Sequence, residues 1–215
     1  MKPNPQKLFD VLYGAYGPQH WWPAKSIEAM MVGVILVQNT AWTQAAKVVD
    51  VLDANNSLTW QALRDIEDEK LWQWLRPAGY FRVKSQRLKA LAKFMAGYDD
   101  KIDKLFTLET SELRSKLLQV NGVGKESADS IICYGAKREV FVVDTYTRRL
   151  FVRLGWISEK AGYDEIQKLV HNNINKQADI FNEYHALIVQ HAKEHCLKKP
   201  SCNNCPVKFC LKVGI

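Results

Sequence analysis

The sequence predicts an all-α protein. Apolar residues recur at the three- and four-residue spacing of one helix face through nearly every segment, and residues suited to capping precede several of those segments. A single stretch, EVFVV at 139–143, is rich in β-formers, and it has no evident second strand to pair with. At 215 residues the chain is long enough for one full core or for two small domains sharing an interface.

Taken in order, Leu8, Phe9, Val11 and Leu12 in MKPNPQKLFDVLYGAYG have the spacing of an amphipathic helix, and the segment lacks the unbroken apolar run of a signal peptide. Export is not expected. Ser26 is placed to cap a helix running to Val37, and the apolar run within it, AMMVGVILV at 29–37, is about half the length that a membrane span needs. It reads as buried core. The helical period continues in TQAAKVVDVLDA, and EDEKLWQWL begins with acidic residues, which the positive end of a helix dipole favours. KSQRLKALAKFMAG, SELRSKLLQV, KESADSIICYGA, TYTRRLFVRLG, YDEIQKLVHNNI and FNEYHALIVQHAKEHC supply the remaining helices, joined by short loops without low-complexity linkers or internal repeats.

Thirty Lys and Arg residues against 23 Asp and Glu leave a net charge of +7, which suits a polyanionic partner. Many basic proteins never touch nucleic acid, so charge alone decides little. In LLQVNGVGKESADSII one helix ends near Val120, Gly122 and Gly124 bracket a tight turn, and a second helix starts at Lys125 with Ala128, Ile131, Ile132 and Gly135 on one face. Backbone N–H groups in such a turn, beside a helix N-terminus, suit a phosphate and grip a DNA backbone without reading its sequence. An ordinary helix-turn-helix corner has the same pattern. Beyond Gly135, VVDTY delivers Asp144 to a helix N-terminus, where it serves as a cap or stands ready to act on a nucleotide.

Four of the five cysteines crowd the C-terminus in CLKKPSCNNCPVKFC, where Cys196, Cys202, Cys205 and Cys210 are separated by five, two and four residues. Without an export signal, metal binding is a better reading than disulfides. Four soft thiolates over so short a span fit one [4Fe-4S] cluster, with structural zinc as the alternative. Lys198, Lys199 and Lys208 make the loop basic, and a cluster there would brace it against phosphates. Cys133, on an apolar helix face, reads as a core residue.

The run LLQVNGVGKESADSIICYGAKREVFVVDTYTRRL, with its hairpin, helix, extended link and Asp, resembles the helix-hairpin-helix DNA glycosylases of the endonuclease III superfamily. The resemblance extends from about residue 26 to the C-terminal cysteines, although two of the cysteine intervals are each one shorter than is typical of endonuclease III. It implies that Asp144 is the essential catalytic carboxylate. WWP, then QNT with an aromatic two residues later, then RPAGY and GVGKESAD look like the 3-methyladenine glycosylase branch, whose members generally lack the iron-sulfur loop. The implied base pocket is Trp21, Trp22, Pro23 and Trp42, where packing is the plainer role of paired tryptophans.

In bifunctional relatives the residue two after the second hairpin glycine is a lysine that attacks the sugar and forms a Schiff base. Here it is Glu126, which cannot do so, and Lys125 is turned about 100° away around the helix. Hydrolysis without strand cleavage is therefore expected; a solvated first-turn carboxylate accounts for Glu126 equally well. Gln38 matches the residue that fills the gap left by a flipped nucleotide, and Tyr80 the wedge; a helix-end polar residue and a loop tyrosine are the plain alternatives. Lys84 and Arg87 follow Tyr80 at helical spacing and fit phosphate contacts, as do Gly122, Gly124 and Lys125 of the hairpin.

The resemblance further implies two lobes, residues 25–136 and residues 1–24 plus 137–215, with DNA across the cleft where Trp21, Trp22, Trp42 and Asp144 meet. The expected protein is a cytoplasmic, nucleoid-associated monomer acting on double-stranded DNA that carries a damaged base, an alkylated purine before others. A glycosylase for oxidised pyrimidine, uracil or mismatched bases is the competing enzyme. A DNA-binding iron-sulfur protein without catalysis is the alternative of another class.

Overall fold

The computed structural model describes residues 4–214, and every regular element among them is helical, as the sequence predicts. In chain order the α-helices are α1 (Pro5–Tyr16), α2 (Ile27–Leu36), α3 (Trp42–Ala54), α4 (Trp60–Asp65), α5 (Asp68–Leu75), α6 (Phe81–Ala96), α7 (Ile102–Phe106), α8 (Thr110–Leu118), α9 (Lys125–Ser130), α10 (Thr145–Arg153), α11 (Tyr163–His171) and α12 (Ala178–Glu194). A 3-10 turn at Arg76–Ala78 leads towards α6, and a π turn at Ile131–Gly135 extends α9. The chain divides into two compact units, Pro23–Ala136 and the residues up to Trp22 together with those from Lys137 onward. No helix among the described residues is long and apolar enough to cross a membrane.

In the Pro23–Ala136 unit, α2 is the central helix. Every residue from Ala29 to Leu36 is buried, and Ser26 caps the helix by accepting the Ala29 N–H at 3.1 Å. The π turn packs on α2 because Gly135 has no side chain there; a Cβ would lie 2.6 Å from Met30 Cε. Arg64 on α4 forks onto both oxygens of Asp100 at 2.7 Å and donates to the Ala92 carbonyl, fastening α4 to the end of α6. Helices α4 and α7 are too short to show periodicity, so the sequence did not reveal them; each buries two apolar residues, Trp60 with Leu63 and Ile102 with Leu105.

In the other unit α12 packs against α1 and α10, and a ring cluster fills the interior: Phe141 with Phe181 and Tyr184, and Phe9 with Tyr184, at centroid separations of 5.5–5.9 Å. EVFVV forms no strand and joins no sheet. Side chains satisfy its backbone instead: the Phe141 N–H donates to His171 Nε2 at 3.0 Å, Gln167 Nε2 donates to the Phe141 carbonyl at 2.7 Å, and the Val143 N–H donates to Tyr163 Oη at 3.3 Å. Helix α11 thus replaces the partner strand.

Lys84 departs from its sequence reading. Its side chain is buried, with 1% of the residue exposed, and its amine donates to the Leu36 carbonyl at 2.8 Å, the Ala78 carbonyl at 2.6 Å and Thr40 Oγ1 at 2.5 Å. Three acceptors use all three N–H bonds of an ammonium, so Lys84 is an internal tie and not the phosphate contact that its spacing suggests. Burial, with a smaller contribution from Arg87, lowers its pKa from 10.5 to about 8. Between those values the unfolded chain holds more protons than the folded one, so stability rises with pH. Lys84→Met is expected to lower stability by about 1–3 kcal/mol at neutral pH by stranding buried acceptors. Urea denaturation of both proteins between pH 7 and 11 should show the gap widening as pH rises through about 8 towards 10.5.

Candidate functional site

Asp144 is the N-cap of α10, and its Oδ1 accepts the Thr147 N–H at 2.7 Å. Its Oδ2 lies 3.5 Å from Nε2 of His185 on α12, and the two side chains are only 9% and 7% exposed. Capping and a buried second carboxylate oxygen therefore coexist in one residue. Burial alone would raise the Asp144 pKa; the His185 imidazole and the Thr147 N–H outweigh it and hold the carboxyl below its usual range, so it is ionised at neutral pH. The sequence reading placed His185 only within a helix. The available signal was a pair of polar residues one turn apart, Asn182 and His185, on a face that is otherwise apolar and aromatic.

Residues 19–22 are pinned to that same helix. The Gln19 N–H donates to Glu183 Oε1 at 2.6 Å, and Asn182 Nδ2 donates to the Trp21 carbonyl at 2.7 Å. The Trp21 ring lies 6.2 Å from the His185 ring and meets Trp22 edge to face at 5.1 Å. Trp21 Nε1 and Asn182 Oδ1 are buried without a hydrogen-bond partner. Of the four residues expected in the base pocket, Trp21 therefore adjoins the partner of Asp144, and Trp22 adjoins Trp21. The other two, Pro23 and Trp42, belong to the Pro23–Ala136 unit, where Pro23 is exposed and Trp42 opens α3 half-buried.

In the hairpin the two glycines differ. Gly122 has φ +86°, and a Cβ there would lie 2.2 Å from Arg87 Cγ, so both conformation and space require glycine. Gly124 has φ −90° and open space around it, where other residues would fit. The Val123 N–H closes the turn onto the Val120 carbonyl at 3.0 Å, and Arg114 of α8 forks onto the buried Asp129 of α9, locking the two helices together. Gln38 Nε2 donates to the Gly122 carbonyl and to Ser127 Oγ, both at 2.9 Å, while Arg87 Nη1 donates to Gln38 Oε1 at 2.5 Å. Gln38 and Arg87, singled out for DNA, are thus both attached to the hairpin turn. Lys125 and Glu126 are exposed on the first turn of α9. Tyr80 is 70% exposed and held in the left-handed region at φ +46°.

Cys196, Cys202, Cys205 and Cys210 line one cavity of about 120 Å³ together with Arg153 and His191. Arg153 Nη1 donates to Cys196 Sγ at 3.1 Å, and its guanidinium also binds the Leu197 and Lys198 carbonyls. Tyr16 Oη is 3.0 Å from His191 Nδ1, and His191 Nε2 is 3.9 Å from Cys205 Sγ. Burial, then the His195 charge, pushes His191 down to about 4, so its imidazole is neutral. Burial also pushes the Cys205 and Cys210 thiols up, and the neighbouring cysteines add to this. No group of three or more His, Cys, Asp or Glu among the described residues is drawn together for a single metal ion. Four sulfurs around a common cavity do fit the donor set of a cluster, for which Arg153 offers a charged N–H to sulfur. Lys198, Lys199 and Lys208 are exposed, and Cys133 is wholly buried.

Comparison with known proteins follows the same lines. Residues 32–176 match the HhH-GPD superfamily of base excision DNA repair proteins. The chain is 44% identical over 209 residues to a provisionally named DNA repair glycosylase of Methanocaldococcus jannaschii, spanning 95% of this chain and 94% of that one. It is 23% identical over 186 residues to endonuclease III of Sulfolobus acidocaldarius, with 86% and 81% covered. H. pylori 3-methyladenine DNA glycosylase bound to 1,N6-ethenoadenine superposes with a TM-score of 0.76 at 28% identity, covering 89% of this chain and 98% of that one. An endonuclease III–DNA complex reaches 0.83 at 18% identity over 98% and 96%, a likeness of fold. With two thirds of its length matched by the superfamily and a close archaeal relative along almost all of it, the chain belongs to the HhH-GPD superfamily of base excision DNA repair proteins.

Proposed function

We propose that the protein is a monofunctional DNA glycosylase that hydrolyses the N-glycosidic bond of alkylated purines such as 3-methyladenine in duplex DNA and leaves an abasic site. The observation that carries this reading is the buried, ionised Asp144, whose neighbour His185 adjoins the Trp21–Trp22 segment. A purine alkylated at N3 or N7 is cationic, and an indole face attracts it by roughly 0.5–2 kcal/mol. Such a base is already a good leaving group and needs little acid. The carboxylate then stabilises the positive charge developing on the sugar, and orients or deprotonates the attacking water. The ligand named for the H. pylori relative, a modified adenine, is in keeping with this class.

Glu126 stands in place of the Schiff-base lysine, and its exposed carboxylate is no nucleophile towards an aldehydic sugar. The hairpin, Gln38, Tyr80 and Arg87 are assigned to DNA, with the hairpin amides on phosphate and Tyr80 as the exposed wedge. Cys196, Cys202, Cys205 and Cys210 would hold a [4Fe-4S] cluster, whose iron–sulfur bonds tie a basic loop together and which base hydrolysis does not require for electron transfer. The proposed protein is a monomer that works on DNA in the cytoplasm.

A second reading is favoured by the unpartnered Trp21 Nε1 and Asn182 Oδ1, a buried donor and acceptor suited to reading a neutral base by its edges. That reading is a glycosylase for oxidised or deaminated bases.

Base release from methylated duplex DNA, scored for strand breaks with and without alkali, tests the main reading: 3- or 7-methylpurine should appear, with breaks only after alkali. Asp144→Asn should lower the release rate by about 10²–10⁴-fold with duplex binding retained. Glu126→Lys should yield a borohydride-trapped protein–DNA adduct that the parent protein does not form. Protein purified without oxygen should absorb near 400 nm and carry iron, and Cys202→Ser should lose both.

A further inference from the structure

Thr147 fixes one oxygen of Asp144, and that contact alone leaves the carboxylate plane unset. The group facing the other oxygen is His185 Nε2, at 3.5 Å, in a place from which solvent is almost excluded. The separation is a few tenths of an ångström longer than a hydrogen bond of roughly 2.7–3.2 Å, within reach of a small turn of the imidazole. The ring does not stand alone. Trp21 lies 6.2 Å away on one side, and Asn182, one turn earlier on α12, grips the Trp21 carbonyl at 2.7 Å. Helix α12 thus holds, with side chains one turn apart, both the backbone of the aromatic segment and the carboxylate.

Resting on the glycosylase reading, we propose that His185 is a positioning residue: its Nε2–H fixes Oδ2 of Asp144 and sets the carboxylate in register with the wall formed by Trp21. An N–H donor at Nε2 orients the carboxylate that faces it. A glutamine carries a neutral N–H at nearly the same reach, whereas a phenylalanine keeps the ring against Trp21 and loses the donor. The two substitutions therefore separate hydrogen bonding from packing.

The test has two arms. The first compares single-turnover base release by the parent protein, His185→Gln and His185→Phe on a lesion that the parent processes, together with affinity for a duplex bearing an uncleavable abasic analogue. His185→Phe should be slower by about 10²-fold, the penalty of a misplaced catalytic group, with affinity unchanged, and His185→Gln should recover most of the rate. The second arm needs no activity. The His185 ring resonances are compared by NMR at one fixed pH in the parent protein and in Asp144→Asn, where loss of the facing carboxylate should shift the Nε2 signal. Equal rates for the Gln and Phe variants, or His185 resonances indifferent to Asp144→Asn, would overturn the proposal. If the parent protein releases no base, the glycosylase reading fails, and the NMR comparison still decides whether the contact exists.

Discussion

An ionised carboxylate held almost out of water is the constraint on which the Asp144 unit depends. Such a group is tolerated only where hydrogen bonds and a partner replace its hydration. The structure meets the requirement with two helices. The N-terminus of α10 gives a backbone N–H and the positive end of its dipole, while α12 presents His185. Remove either and the carboxylate would protonate or turn outward to solvent, so the packing of α10 on α12 is also what keeps the charge in place.

The same two helices run on to the cysteine loop. Helix α10 begins beside Asp144 and ends at Arg153, about 13 Å later at the usual rise, where the guanidinium gathers the Cys196 sulfur and the two carbonyls that follow it. Helix α12 carries His185 in its first half and His191, beside Cys205, in its second. Whatever orders the loop therefore acts on both supports of the carboxylate. The proposed cluster, with no part in bond cleavage, would then act on the proposed chemistry by stiffening this scaffold.

How much of this was legible in the sequence depends on the range of the interaction. Long helices announced themselves through periodicity, and Ser26, Asp144 and Gly122 through the local chemistry of caps and turns. The short helices α4 and α7 offered too few residues to establish a period. EVFVV read as a strand because its composition is right, while the side chains that bond it lie on α11, more than twenty residues away for the most part. Lys84 and His185 were misjudged or overlooked for a related reason: Lys84 has the spacing of a surface cation, and only its place beneath three acceptors makes it internal. Likewise nothing local pairs His185 with a residue some forty positions earlier.

Lys84 has one more consequence. Its acceptors lie at the end of α2, in the loop that follows, and in the 3-10 turn before Tyr80, so one ammonium joins the two segments that carry Gln38 and Tyr80. Those side chains are the candidates for filling and prying open a duplex, tasks measured against the fixed rise between base pairs. The buried amine acts as a gauge block, setting from below the interval between these two candidate side chains. On the proposed reading, a change there would blunt the handling of DNA without removing any atom that touches it.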